Sequence, residues 1–300
     1  MRTLITGATG LLGKKLLAKL DNAVVLTRDA GRVHAERGQV EVHRWEPEAG
    51  PAPLESVRDV DVVFNLAGEP VAGSRWTKEK KRRIADSRIK GTRNLIATLG
   101  ALERRPRVLV SASAVGYYGE GGDAELSEDA PRGRGFLAEV CSGWEREAMA
   151  ASRLGIRVVC MRIGIVLAPG GGAMGRMLGP FRMGAGGTLG SGKQWMPWIH
   201  IDDAIGLLLH ASRDETLTGA VNAVSPNPVT NADFTRALGK AVHRPAFLPV
   251  PKVALQIAFG EMSEVILASQ RVVPRAAERS GYKFEYTHLH DALATVVAAG

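Results

Sequence analysis

The sequence predicts an α/β fold built on a doubly wound parallel sheet, and three observations predict it. Short continuous apolar runs alternate with helical stretches through the first half of the chain, the pattern of strands buried on both faces and joined by crossover helices. The first run ends on Gly7, Gly10 and Gly13, glycines placed at the strand-to-helix turn where such a sheet receives a dinucleotide. The length of 300 residues, 45% hydrophobic and 23% charged, suits one large domain with a smaller appendage. Together these define a Rossmann-type sheet.

Taken in order, Arg2–Thr6 is the first strand and Leu11–Leu20 has helical spacing. Ala23–Thr27 and Val40–Arg44 are the second and third strands. Asp61–Leu66 is the fourth, followed by a basic helix through Leu99. Val108–Ser113 is the fifth, Gly143–Leu154 belongs to the next helix, and Arg157–Val166 is the sixth. The pattern then breaks. Pro169-Gly170-Gly171-Gly172 opens an irregular stretch to Trp198 that also holds Gly184, Gly186, Gly187, Gly190 and Gly192. Glycine at that density costs backbone entropy, so it predicts tight turns or loops beside a ligand. A helix from Asp202 to Ser212 and a strand at Ala220–Val224 return to the sheet. Beyond Pro245, Pro249 and Pro251 a helical section runs from Val253 to the end. The expected organisation is a dinucleotide-binding domain of residues 1–166 plus 200–235, with residues 167–199 and 236–300 forming a smaller substrate-side C-terminal domain.

Composition excludes several classes. The two cysteines, Cys141 and Cys160, are too few for a disulfide framework or a four-ligand zinc site, so no metal is expected. Their apolar surroundings predict buried small hydrophobes. No apolar run approaches the roughly 20 residues of a membrane span, and a strand starting at Arg2 leaves no room for a signal peptide; a soluble cytoplasmic protein is expected, as a monomer or homodimer. The net charge of +8 would suit nucleic acid or phosphate. Its densest cluster, Lys78 to Arg83 with Arg88 and Lys90, has the spacing of a solvated helix face. Aromatics make up only 5% of the chain, so nucleic acid is disfavoured and a small molecule is the expected partner.

The glycine turn has an assignable division of labour. Gly7 permits the turn, Gly10 admits backbone N–H groups to the pyrophosphate, and Gly13 lets the helix pack close to the strand. Thr9, Leu11 and Leu12 belong to the same cofactor-lining turn, with the phosphates at the positive helix end. At the tip of the second strand stand Thr27 and Arg28. An acid there would bond the ribose 2′-hydroxyl of NAD; an arginine pairs with the 2′-phosphate of NADP, and Arg32 is close enough to help. NADP is the expected cofactor. Asp29, one position on, keeps the NAD alternative open.

Further motifs carry a family resemblance. Asn65-Leu66-Ala67-Gly68-Glu69, Ser87-Arg88, Tyr118-Gly119, Trp144-Glu145, Arg162 to Leu167, Gly170 to Met174, Pro197 to Ile201 followed by Asp202-Asp203, Gln270 to Pro274 and Gly281-Tyr282 together resemble the extended short-chain dehydrogenases/reductases. The likeness is to the atypical epimerase-like subfamily with a short C-terminal domain of unknown function, and it spans nearly the whole chain. The resemblance implies that Leu66, Ala67 and Gly68 flank the adenosine side of an NADP cofactor. It implies that Arg88 reaches toward the cofactor, that Val166 lies by the nicotinamide, and that Ser113 hydrogen-bonds the reacting oxygen. Core packing for Leu66 and Val166, a local cap for Ser113 and a solvated position for Arg88 are the competing readings.

One departure stands out. The superfamily's Tyr-x-x-x-Lys, in which the Tyr moves the substrate proton and the Lys lowers its pKa and holds the nicotinamide ribose, is replaced by Phe136-Leu137-Ala138-Glu139-Val140. Neither Phe136 nor Val140 can fill those roles. Lowering a tyrosine from about 10 toward neutrality takes several kcal/mol, at roughly 1.4 kcal/mol per unit. Tyr118, near Ser113, is the catalytic candidate that remains; Tyr117, Glu69, Glu139, Lys193 and His200 are other titratable groups, with His200 placed as structural. Lys193, Gln194 and Trp195, in a stretch of glycines with two indoles, are the substrate candidates, able to stack on a ring and pair with a phosphate; anchoring of a loop to the core is the equal alternative. Two functions follow: an NADP-dependent epimerase or oxidoreductase acting on a small carbonyl or sugar-nucleotide-like substrate, or a catalytically silent NADP-sensing regulatory protein.

Overall fold

The computed structural model describes residues 1–34, 38–72 and 75–300, and its centre is a seven-stranded sheet. The strands are β1 (Thr3–Thr6), β2 (Asn22–Thr27), β3 (Gln39–Arg44), β4 (Val62–Asn65), β5 (Val108–Ala114), β6 (Arg157–Ile163) and β7 (Gly219–Ala223). They lie in the order β3-β2-β1-β4-β5-β6-β7, and every pair is parallel. The order reverses between β1 and β4, so the crossovers leave β1 in opposite directions and open a crevice beyond its carboxyl end. That switch point is where a doubly wound sheet takes its ligand, and it is where the glycine turn sits.

The inner strands are largely apolar because both faces are covered, while the edge strand β3 carries Gln39, Glu41, His43 and Arg44 and is mostly exposed. Alternate residues point to opposite sides. Ile5, Val25, Phe64, Val110, Val159 and Val221 pack with α1 (Leu11–Leu17) and α5 (Ile201–Arg213). Leu4, Val24, Val63, Leu109 and Val158 pack with α2 (Lys78–Gly100) and α3 (Phe136–Met149). A third cluster draws on distant parts of the chain: Leu167, Trp198, the helix α4 (Gly172–Arg182), α6 (Asn231–Ala241) and the C-terminal α10 (Leu289–Ala298). Between α6 and α10 come α7 (Lys252–Phe259), α8 (Met262–Leu267) and α9 (Arg275–Arg279).

Several boundaries differ from expectation. The first helix stops at Leu17, and Lys19 and Leu20 close it with tighter turn bonds to Leu16 and Leu17. The helix expected around Gly143 begins at Phe136 and finishes as a 3-10 turn to Leu154. The sixth strand, expected to reach Val166, ends at Ile163. At Gly164 the chain leaves the main sheet, and Ile165–Leu167 pairs instead with Trp198–His200; a Cβ on Gly164 would lie 2.6 Å from the Pro197 carbonyl oxygen. The stretch expected to be irregular contains α4. Its buried Met174, Leu178 and Phe181 recur at helical spacing, a signal hidden by the surrounding glycines. Both cysteines are free and buried.

Candidate dinucleotide site and its reacting end

Gly7 adopts φ +74°, a left-handed conformation that favours glycine. A Cβ there would also sit 2.7 Å from the Leu66 carbonyl carbon and 2.8 Å from the Ala67 nitrogen. The turn after β1 is thereby packed onto the segment that follows β4, which brings Gly7, Leu66 and Ala67 together. Gly13 is tighter still, since its Cβ would lie 2.0 Å from the Gly7 carbonyl oxygen. The Gly10 N–H donates to that same carbonyl (3.0 Å), and no side chain caps the start of α1. The first-turn N–H groups of a helix have no partner within it, so this start offers donors and a positive helix end to an anion.

The Thr6 hydroxyl holds the facing strand tip in place. It donates to Asn65 Oδ1 (2.9 Å) and accepts from the N–H groups of Leu66 (3.1 Å) and Ala67 (3.2 Å). Asn65 Nδ2 donates to the hydroxyls of Thr92 and Ser111, and the Trp144 indole also donates to Thr92. Every polar atom of Asn65 is used, which suits a buried network. Thr6, Thr92 and Ser111 were not legible in the sequence because a single hydroxyl carries no distinguishing period.

At the tip of β2, Arg28 is exposed. Asp29, the residue that kept NAD open, turns its carboxylate into its own chain, where Oδ1 accepts from the Gly31 N–H (3.1 Å). Thr27 Oγ1 accepts from the Asp29 N–H (3.3 Å) and closes the same turn. Arg28 is the exposed cation at the strand tip, near enough to the Glu69 carboxylate to act on it electrostatically.

The candidate reacting end is built around a buried ion pair. Glu145 on α3 takes two bonds from Arg162 on β6, from Nε and Nη2, each 2.9 Å. Ser113 Oγ, at the end of β5, donates to Glu145 Oε1 (2.7 Å). Arg162 Nη1 donates to the Tyr118 hydroxyl (2.9 Å), which itself donates to Asn222 Oδ1 (2.7 Å) and lies 3.0 Å from the Ser127 carbonyl. The Tyr117 ring stacks on the Arg162 guanidinium at 3.5 Å. Burial pushes the Tyr118 hydroxyl up to about 12 against the pull of Arg162. The candidate acid is therefore a buried hub whose single proton is held by Asn222 and the Ser127 carbonyl. Charges inside the apolar runs around Glu145 and Arg162 were the available signal for this pair.

Phe136 and Val140 stand where the sequence places them, at the start of α3. Phe136 meets Trp76 edge to face (5.2 Å) under the Lys81 ammonium, and Val140 is buried. Glu69 bonds Lys80 (2.7 Å), which holds its carboxyl below the usual range. Arg88 turns inward from α2: Nη1 donates to the carbonyls of Glu69 (2.9 Å) and Ile84 (3.2 Å), and the guanidinium lies over the Trp144 ring at 5.1 Å.

On the opposite wall, Leu11 lies against Gly171 and Gly172, and a Cβ on Gly172 would come within 4.0 Å of the half-buried Val166 carbonyl. Lys193 is exposed, while the buried Gln194 spends its amide on the Leu189 carbonyl (2.9 Å). Trp195 donates to Asp123 (3.0 Å) with Arg271 stacked on its ring. His200 caps α5, accepting from the Asp202 N–H, and packs against Tyr286 at 3.8 Å. The buried Asp203 takes the N–H groups of Glu285 and Tyr286. These bonds tie the C-terminal segment to α5.

A doubly wound sheet with a glycine turn at its switch point, an uncapped helix start and a serine at the end of the fifth strand defines a dinucleotide-site protein of the short-chain dehydrogenase/reductase class. The chain belongs to the NAD dependent epimerase/dehydratase family, whose profile matches residues 3–223. Residues 250–296 match a domain of unknown function, DUF1731. The chain is 41% identical over 293 residues to the epimerase family protein Mb2239 of Mycobacterium bovis, covering 96% of this chain and 95% of that one. It is 38% identical over 311 residues to the chloroplastic SDR39U1 homolog of Arabidopsis thaliana, covering 99% and 87%. The crystal structure of human epimerase family protein SDR39U1 (isoform 2) with NADPH superposes at TM-score 0.88 with 34% identity over 99% of each chain.

Proposed function

We propose that this protein binds NADP(H) in the glycine turn and acts as an epimerase or oxidoreductase on a small carbonyl or sugar-nucleotide-like substrate, without a Tyr-x-x-x-Lys pair. The observation that carries the cofactor choice is Arg28, exposed at the tip of β2 while Asp29 is folded into its own turn. NADPH bound to the human relative supports it. Gly7, Gly10, Gly13, Thr9, Leu11 and Leu12 would hold the pyrophosphate, Thr27, Arg28, Leu66, Ala67 and Gly68 the adenosine half, and Val166 the nicotinamide side. The bound cofactor supplies hydride chemistry. Ser113 would hold the reacting oxygen, and its bond to Glu145 (2.7 Å) offers a proton path in place of the missing tyrosine. Ser113 accepts a substrate hydroxyl proton and passes its own to Glu145, while Arg162 balances the carboxylate charge. Tyr118 supports that path by fixing Arg162. Lys193 and Trp195 would meet the substrate from the smaller domain, residues 167–199 and 236–300, with Gln194 shaping their loop. The proposal includes a cytoplasmic location and action as a monomer or homodimer; among the described residues no helix is long and apolar enough to cross a membrane.

A second reading, an NADP sensor without turnover, draws support from Phe136, Val140 and the buried Tyr118. Fluorescence titration of NADPH and NADH against wild type and Arg28→Ala tests the cofactor choice. NADPH should bind more tightly, and R28A should weaken NADPH by about tenfold or more with NADH little changed. Tighter NADH binding, or equal weakening of both, refutes the Arg28 assignment. A carbonyl-substrate screen at high enzyme concentration separates turnover from sensing.

A further inference from the structure

The smaller domain carries an apolar face that the rest of the chain leaves uncovered. Met183, Phe247, Val253 and Ile257 are 78%, 73%, 63% and 70% exposed, and the neighbouring Leu248 is 48% exposed. No other large hydrophobic side chain among the described residues is as exposed as those four. They belong to one surface. The Leu248 N–H donates to the Gly186 carbonyl (3.3 Å) and Arg244 Nε to the Arg182 carbonyl (3.2 Å), which lays the stretch after α6 along the stretch after α4. Gly187 permits the approach, since a Cβ there would lie 1.5 Å from the Leu248 carbonyl oxygen. Pro249 and Pro251 then lead into α7, where Val253 and Ile257, four residues apart, share a face and Leu255 is buried. The helix is pinned to the larger domain: Arg75 donates to the Ile257 carbonyl, and Lys81 pairs with Glu261 (2.7 Å). An exposed helix of this kind lacks the polar outer face of a solvated surface helix.

The charge on this surface has one sign. No Asp or Glu occurs from Gly172 to Gly192 or from Phe234 to Gly260. The cations Arg182, Lys240, Arg244 and Lys252 stand in those stretches, and all are exposed. The next acids along the chain, Glu261 and Glu264, are on α8, where Lys81 engages Glu261. A second copy docked face to face would set these cations against one another. An anionic lipid surface meets both features, taking apolar side chains between its headgroups and cations against its phosphates.

We propose that this face seats the protein reversibly on an anionic lipid surface. Met183, Phe247, Val253 and Ile257 enter the headgroup layer, and Arg182, Lys240, Arg244 and Lys252 pair with the lipid phosphates and carboxylates. The attachment is peripheral, since among the described residues no helix is long and apolar enough to cross a membrane. It stands apart from the NADP reading, because none of these eight side chains belongs to the proposed cofactor turn or reacting end.

The test sediments the full chain with vesicles of phosphatidylcholine alone, or of phosphatidylcholine and phosphatidylserine in equal parts. Wild type should bind the mixed vesicles at low salt, bind phosphatidylcholine far more weakly, and be released as salt is raised. Phe247→Ser/Ile257→Ser should weaken binding by about tenfold for each residue. Arg182→Gln/Lys252→Gln should weaken it by about fivefold for each residue and flatten the salt dependence. All four positions are exposed, so both double variants should keep the wild-type melting temperature. No binding to the mixed vesicles, equal binding to the two vesicle types, or full binding by F247S/I257S overturns the proposal. A wild-type dimer in sedimentation velocity that F247S/I257S converts to monomer assigns the face to a second copy. Tighter binding of polyglutamate than of the mixed vesicles assigns it to an acidic protein. Either result overturns the lipid reading.

Discussion

Glu145→Gln tests whether the reacting end is organised by a desolvated ion pair. The substitution keeps the side chain's shape and removes one charge. Arg162 is then left with its guanidinium 5% exposed and only neutral acceptors around it, the Tyr118 hydroxyl and the Glu128 carbonyl. The two charged groups meet through paired 2.9 Å bonds, which puts the charge centres about 4 Å apart; at an effective dielectric of roughly 20 their attraction is about 4 kcal/mol. Removing one partner of a buried pair costs about 3–5 kcal/mol, because the other charge stays buried. Urea unfolding followed by circular dichroism should show a loss in that range with the slope unchanged. The double variant Glu145→Gln/Arg162→Met should lose less than the sum of the single losses, since the residues share one network. A loss under about 1 kcal/mol, the value of a solvated surface pair, would refute the reasoning.

Gly13→Ala drives a methyl to 2.0 Å from the Gly7 carbonyl oxygen; it should cost at least about 1–3 kcal/mol and weaken NADPH, with Gly10→Ala, at 3.3 Å, milder on thermal unfolding. Tyr118→Phe removes the hydroxyl shared by Arg162 and Asn222 and should cost about 1–3 kcal/mol with NADPH affinity retained; a loss of turnover far exceeding the loss of stability would return Tyr118 to the role of acid. Burial holds the His200 pKa below its ordinary 6.5, outweighing the nearby Asp202 and Asp203, so the fold favours the neutral ring. That contribution is complete above about pH 6.5 and is lost as pH falls through the lowered folded value. Melting temperatures measured from pH 8 to 5 should fall less steeply for His200→Gln than for wild type, and identical slopes would count against the assignment.

The fold was legible because its signals are local. A strand covered on both faces must be apolar at successive positions, and a backbone turn that approaches a second strand must be glycine. Periodicity and three glycines therefore located the sheet and the glycine turn at its switch point, and Gly7 and Gly13 meet the steric demands inferred for them. The helix Gly172–Arg182 was missed because glycine density outweighed a stripe of three apolar residues. The end of β6 was misplaced because Ile165–Leu167 is as apolar as a sheet strand, and only the carbonyl of Pro197 decides that it pairs elsewhere.

The amino-acid sequence by itself determined the doubly wound sheet, the glycine turn and the lack of a Tyr-x-x-x-Lys pair, because each depends on residue types at neighbouring positions. The tertiary structure alone decided how Ser113, Tyr118, Glu145, Arg162 and Asn222 bond to one another, with partners 17 to 104 residues apart. It also decided that two cations of the basic helix, Lys80 and Arg88, are drawn out of solvent. Side-chain direction depends on what the opposing element offers: the Glu69 carboxylate for Lys80, an indole and a bare glycine for Arg88. Those neighbours meet only when the chain has folded.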